Sequence, residues 1–239
     1  MNANNEGKRL LYITVANAME HDILVERKFG ERLPSEQNLA QRYNVSRTVI
    51  REALKLLSER GLIDSKVGSG AFITKPETHN LSNFFYRIIS MNDIESTSVY
   101  DVRCILEVAA AKKAARLVTE EELDKMDAIL NRLRDLSLPQ SERNELDYLF
   151  HSSVARASGN PLLAMLIDAM RSVITEMIER SSRPAGSIPD GVMRHDNIMS
   201  ALRQHDVELA ELYMMDHILM SKNFYMTEYQ DPPKLVDVI

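Results

Sequence analysis

The sequence predicts a mainly α protein in two parts: an N-terminal winged helix-turn-helix with a small β-hairpin wing, and a C-terminal antiparallel all-α bundle of six or seven helices. Three observations predict it. Two short segments near the start each open on a serine placed to cap a helix. A glycine-tipped pair of short apolar runs follows them, as a β-hairpin requires. From residue 81 onward, apolar residues recur at helical spacing without clear strand alternation.

Taken in order, Leu10, Ile13, Ala16 and Ile23 mark an amphipathic helix over residues 8–24. Ser35 is placed to cap a short helix running to Tyr43, with Leu39 and Ala40 facing inward. Asn44-Val45 makes a tight turn, and Ser46 offers a second cap. The next helix, residues 47–60, buries Val49 or Ile50 with Ala53, Leu54 and Leu57, and stops at Gly61, which tolerates the left-handed conformation of a helix terminator. Residues 62–65 and 71–74 read as strands joined by Lys66-Val67-Gly68-Ser69-Gly70, a wing.

This order of elements suits a reader of duplex DNA. Arg47 and Arg51 are four apart, so they leave one face at the start of the second helix, the end that enters the major groove in this docking mode. An arginine there donates two bonds to guanine, worth about 1–3 kcal/mol of discrimination. Ser46 and Thr48 suit phosphate contacts beside the free amides of a helix N-terminus. Gly68 lets the wing backbone approach the minor groove, and Lys66 adds charge. Taken singly, Arg47 and Arg51 fit a solvated helix face better; the whole order favours DNA.

The strings Leu33-Pro34-Ser35-Glu36, Leu39-Ala40, Val45-Ser46-Arg47-Thr48-Val49-Ile50-Arg51-Glu52-Ala53-Leu54, Gly61-Leu62-Ile63 and Gly68-Ser69-Gly70-Ala71-Phe72-Ile73 carry a resemblance. Residues 8–75 resemble the winged helix of GntR-family bacterial regulators. The resemblance implies base-reading roles for Arg47 and Arg51, and backbone or groove contacts for Ser46, Thr48 and Gly68. Where that family often has a DNA-touching arginine after Pro-Ser-Glu, this chain has Gln37, which implies a contact of a different kind.

Domain boundaries are expected at 1–75 for the DNA-binding domain, 76–80 for a polar linker, 81–230 for the helical domain and 231–239 for a tail. Charge divides the same way. Residues 1–76 carry 12 Lys+Arg against 9 Asp+Glu, a net of +3, and the rest of the chain carries 17 against 26, a net of −9. In the second part, residues 81–90, 97–118, 120–136, 142–157, 161–181, 192–204 and 206–228 read as helices, and Thr119 with Glu122 forms a capping box. The polar start, the single Cys104 and the lack of an apolar run of about 18 residues point to a cytoplasmic protein without a membrane partner.

Among the six histidines, His151, His195 and His217 fall on helices of the bundle, with Asp147 one turn before His151. Three imidazoles and a carboxylate suit a divalent ion, zinc first and nickel or manganese next, with coordination positions left for water or a small anion. Each histidine alone fits a surface or satisfied core residue better, so spacing leaves the site open. Residues 81–228 further resemble the FCD ligand-sensing domain of the FadR subfamily, on the strings Asp101-Val102-Arg103-Cys104-Ile105-Leu106-Glu107, Asp147-Tyr148-Leu149-Phe150-His151 and Ala157-Ser158-Gly159-Asn160-Pro161-Leu162, with His195 and His217. That resemblance implies Asp147, His151, His195 and His217 as metal ligands, and Arg103 as the partner of a small carboxylate effector. The alternative for Arg103 is a salt bridge to Glu107 on the same helix.

The expected function is a DNA-binding transcription regulator, a repressor, acting as a homodimer on a near-palindromic operator. Its operator affinity is modulated by the carboxylate at the ion. A direct metal sensor, a metalloenzyme and a DNA-architectural protein are the competing readings. No Ser-His-Asp order, phosphate-cradling glycine loop or evident general base accompanies the four ligands, so catalysis is not expected.

Overall fold

The computed structural model describes residues 3–26, 28–66, 70–75 and 78–227. The chain divides into two compact units, residues 1–77 and 78–239, each with its own apolar core. No helix among the described residues is long and apolar enough to cross a membrane.

The first unit is built on α1 (Ala3–Glu26), α2 (Glu36–Arg42) and α3 (Arg47–Glu59), followed by β1 (Ile63–Lys66) and β2 (Gly70–Ile73). Helix α1 is longer than its apolar pattern indicates, and it buries Val15, Ala16, Met19 and Ile23 rather than Ile13. Ser35 accepts a bond from the Asn38 amide at 3.2 Å, and Ser46 accepts one from the Val49 amide at 3.4 Å. Caps of this kind are each worth about 1 kcal/mol. Between the two helices Asn44 takes a left-handed conformation, φ 53°, which returns the Val45 amide to the Ala40 carbonyl at 3.0 Å. Gly61, at φ 71°, closes α3 in the same manner, with the Leu62 amide on the Leu57 carbonyl.

Both Val49 and Ile50 are buried, with Ala53 and Leu57, while Leu54 is half-buried. The Asp22 carboxylate on α1 accepts bonds from Tyr43 and Arg42, so the end of α2 is tied to α1 by polar groups as well as by the core. The hairpin is antiparallel, with Ile63 opposite Ile73 and Lys66 opposite Gly70, and Arg32 adds one bridge beside Phe72.

The second unit contains α4 (Thr78–Met91), α5 (Ser96–Leu117), α6 (Glu120–Leu133), α7 (Gln140–Ala157), α8 (Pro161–Ala169), α9 (Arg171–Ser181), α10 (Ser187–Arg203) and α11 (Val207–Met226). Three details depart from the sequence reading. Residues 78–80, expected as linker, are already helical. The single helix expected over 161–181 is two, broken at Met170, whose φ of −92° and ψ of 2° turn the chain with neither glycine nor proline to announce it. The body therefore has eight helices among its described residues, not six or seven. Finally, α10 starts at Ser187 rather than at 192, because Pro189 sits in its first turn, where a missing amide hydrogen costs nothing. Residues 228–239, including the expected tail, lie outside the described residues.

Thr119 and Glu122 form the reciprocal capping box at the start of α6, and Asn160 caps α8 with Pro161 at its first position. Helix α5 is packed along α11 and also against α7, which brings α5, α7, α10 and α11 around one interior. That interior holds a cluster of buried ionisable groups: Arg103, Glu107, His151, His195 and His217.

Candidate functional site

The helix-turn-helix presents its polar groups outward. Gln37, Ser46, Arg47, Thr48 and Arg51 are all exposed at the adjoining starts of α2 and α3. Glu36 lies between the two arginines, 2.8 Å from Arg51 Nε and 3.5 Å from Arg47 Nη2. The arginine side chains are 61% exposed, so these pairs are weak and open to exchange for a phosphate or a base. The Ser46 oxygen already serves as the cap of α3, which leaves its hydroxyl hydrogen as the group able to reach a phosphate. Lys66 closes β1 opposite Gly70; Gly68, expected at the wing tip, lies outside the described residues. The Arg32 guanidinium packs against the backbone of Gly70, where a Cβ would meet Arg32 Nε at 2.8 Å. It places a cation beside the wing that sequence reasoning missed.

In the second unit the four residues singled out by spacing meet. Asp147 and His151 project from one face of α7, His195 from α10 and His217 from α11, with one ligand atom from each lying within 4.8 Å of the others. His151 Nε2 is 3.3 Å from His195 Nε2, 3.1 Å from His217 Nε2 and 3.4 Å from Asp147 Oδ1. Nitrogens bound at about 2.1 Å to one ion sit about 3.0 Å apart at right angles and about 3.4 Å apart at the tetrahedral angle. The three spacings from His151 fall in that interval, and His195 Nε2 stands 3.8 Å from Asp147 Oδ2, so the donor set suits a divalent ion after a small inward shift of Asp147. Without a cation the arrangement is awkward, because three buried ring nitrogens face one another and one N–H bridges only two of them.

The protonation states tell the same story. Burial pulls His151 down, but Glu107 and Asp147 outweigh it and push it up to about 9. Burial pushes His195 down to about 4. Burial, followed by repulsion from His195 and His151, holds His217 well below its usual value. Two neutral imidazoles thus surround one that carries a proton, which is the charge an ion would replace.

Residues 98–219, just over half of the chain, match the FCD domain, and residues 11–73 match the bacterial regulatory proteins of the gntR family. The chain belongs to the GntR family and carries its FCD domain. Two curated relatives illustrate this membership. The HTH-type transcriptional regulator LutR of Bacillus subtilis is 28% identical over 81% of this chain and 90% of its own length. The galactonate operon transcriptional repressor of Escherichia coli is 27% identical over 84% of this chain and 89% of its own. The solved structure of Streptococcus agalactiae GntR superimposes with a TM-score of 0.69 at 26% identity, covering 89% of this chain and 99% of that one. The protein is accordingly a transcription regulator with a ligand-sensing domain, and the family consists of regulators rather than enzymes.

Within the FCD domain, Arg103 makes the salt bridge considered for it and keeps one nitrogen without a partner. Its Nε donates to Glu107 Oε1 at 2.7 Å, so the salt bridge is present. Its Nη1 nevertheless has no hydrogen-bond partner, and Arg103 lines a cavity with Asp147, His195 and His217. A buried guanidinium N–H without a partner is costly, and a carboxylate in the cavity would satisfy it.

The sequence reading gave Glu107 no role beyond that bridge. The structure gives it two: besides Arg103, its other oxygen lies 2.5 Å from His151 Nδ1. A carboxylate behind the far ring nitrogen fixes the tautomer and points Nε2 at the ion position. Burial raises the Glu107 carboxyl, but Arg103 and His151 outweigh it and bring it down to about 2, so it remains charged. The sequence signal was the pairing of Arg103 with Glu107 one turn later, which looks the same whether it is a surface ion pair or a buried hinge between two functional groups.

Proposed function

We propose that the protein is a cytoplasmic repressor, a homodimer on a near-palindromic operator, whose DNA affinity is set by a small carboxylate bound at a divalent ion in the FCD domain. Asp147, His151, His195 and His217 hold the ion, with zinc the first candidate and nickel or manganese the alternatives. The observation that carries this reading is the convergence of three imidazole Nε2 atoms and the Asp147 carboxylate beside the unsatisfied Arg103 Nη1. When bound, the ion supplies positive charge and open coordination positions for an anion. Arg103 takes the other side of the carboxylate, held in place by Glu107.

On the DNA side, Arg47 and Arg51 read bases, while Ser46, Thr48, Gln37, Lys66 and Gly68 supply backbone and groove contacts. A two-fold dimer presents two copies of α3 to two half-sites, and the acid changes their relative placement. Coupling of this kind is typically about 1–3 kcal/mol. The galactonate operon relative is itself a repressor, which supports the repressor role.

The test uses the full chain loaded with zinc, a fragment of its own promoter region and a panel of small organic acids. An acid that raises the melting temperature and weakens DNA binding supports the proposal. DNA binding switched by zinc alone, with no acid shifting the melt, would replace it with direct metal sensing.

A further inference from the structure

The cavity beside the ion position continues past the four ligands, and its second layer has a composition of its own. At 1.5 Å per residue, four residues along a helix, just over one turn, span about 6 Å. One turn before Asp147 on α7 is Arg143, one turn before His195 on α10 is Gly191, and one turn after His217 on α11 is Ser221. All three line the cavity, together with Ser181 at the end of α9.

Gly191 stands in the interior of α10, at a place where its conformation does not require glycine. A glycine there costs about 1 kcal/mol relative to alanine. Nothing lies within 4 Å of the position a Cβ would occupy. The missing side chain is therefore not making way for a neighbour in the protein; it leaves open space in the cavity wall.

The hydroxyls of the two serines that line the same cavity spend their hydrogens within the protein. Ser221 Oγ donates to Ser181 Oγ at 3.1 Å, and Ser181 Oγ donates to the Ile178 carbonyl at 3.2 Å. Ser221 Oγ also has the Tyr100 hydroxyl at 3.4 Å, and Ser181 Oγ already accepts from Ser221, so each oxygen keeps at most one lone pair, which a hydroxyl on a ligand can fill and a methylene or a keto oxygen cannot. Arg143, although buried, is committed to the carbonyls of Leu133 and Asp135 at the end of α6, so it braces this layer.

Resting on the proposed ion-and-carboxylate site, we infer that Gly191 is a specificity-determining position: it opens a second layer, walled by Ser181 and Ser221, that selects an acid bearing hydroxyl groups several carbons from its carboxylate.

The test is calorimetric titration of the zinc-loaded full chain with gluconate, with hexanoate (the same chain length without hydroxyls) and with glycolate (two carbons, reaching only the first layer). The wild-type protein is expected to bind gluconate at least about tenfold more tightly than hexanoate. Gly191→Leu, which fills the gap, is expected to weaken gluconate by about tenfold or more while leaving glycolate and the zinc stoichiometry unchanged. Gly191→Ala fits the open space and removes the helix penalty. It is expected to raise the acid-free melting temperature by about 2–4 °C while weakening gluconate. Ser221→Ala is expected to narrow the preference for gluconate over hexanoate. If wild type binds none of the three acids, the carboxylate site itself is wrong. If glycolate binds and gluconate is indifferent to both Gly191 variants, the carboxylate site stands and the role of Gly191 is overturned.

Discussion

The two units place their functional groups in opposite surroundings. In the helix-turn-helix, Arg47 and Arg51 are well exposed and their only ion-pair partner among the described residues, Glu36, is itself partly solvated. In the FCD domain, Arg103, Glu107, His151, His195 and His217 are buried with little or no contact with water. A DNA-reading side chain must be free to change partners, so it costs the fold little and contributes little to it. A buried ionisable cluster must be compensated from within, so its geometry is locked and its loss is felt by the whole domain. One unit's function is separable from its stability, and the other's is not.

This contrast gives four predictions, in falling order of effect. His151→Ala removes the imidazole shared by Asp147 and Glu107, leaving Glu107 with Arg103 alone and opening a gap in the buried cluster. It should abolish zinc binding and lower stability by about 3–5 kcal/mol, measured by urea unfolding monitored with circular dichroism. Arg47→Ala should weaken specific DNA binding by about 1–3 kcal/mol with an unchanged melting temperature, measured by anisotropy on a promoter fragment. A matching loss of zinc affinity would erase the contrast.

Glu107→Gln keeps the shape but weakens the anchor behind His151, and it should reduce zinc affinity about 10- to 100-fold in a competition titration with a chelator. Glu36→Gln frees both arginines from a surface pair worth no more than about 1 kcal/mol. It should strengthen DNA binding a few-fold at low salt, with the gain vanishing as salt is raised.

Much of this was legible in the sequence because it depends on local rules. The caps at Ser35, Ser46 and Thr119, the terminator Gly61 and the shared face of Asp147 and His151 all follow from spacing along one helix. What spacing could not give depends on packing between helices. The turn at Met170 has no composition cue, since it arises where α8 lies on α4 and α9 lies on both α4 and α7. Pro189 and Gly191 read as a break in the chain, yet both belong to α10, one tolerated in the first turn and the other facing a cavity. The second role of Glu107 appears only once α5 and α7 are side by side, which brings its free oxygen to His151.

The most direct test of the cation site is calorimetric titration of zinc into the chelator-stripped full chain and into its His195→Ala variant. One zinc bound per wild-type chain, with the variant's affinity reduced by orders of magnitude, is the predicted result. A wild-type chain that takes up no zinc, nickel or manganese, or a variant that binds as tightly as wild type, would contradict it.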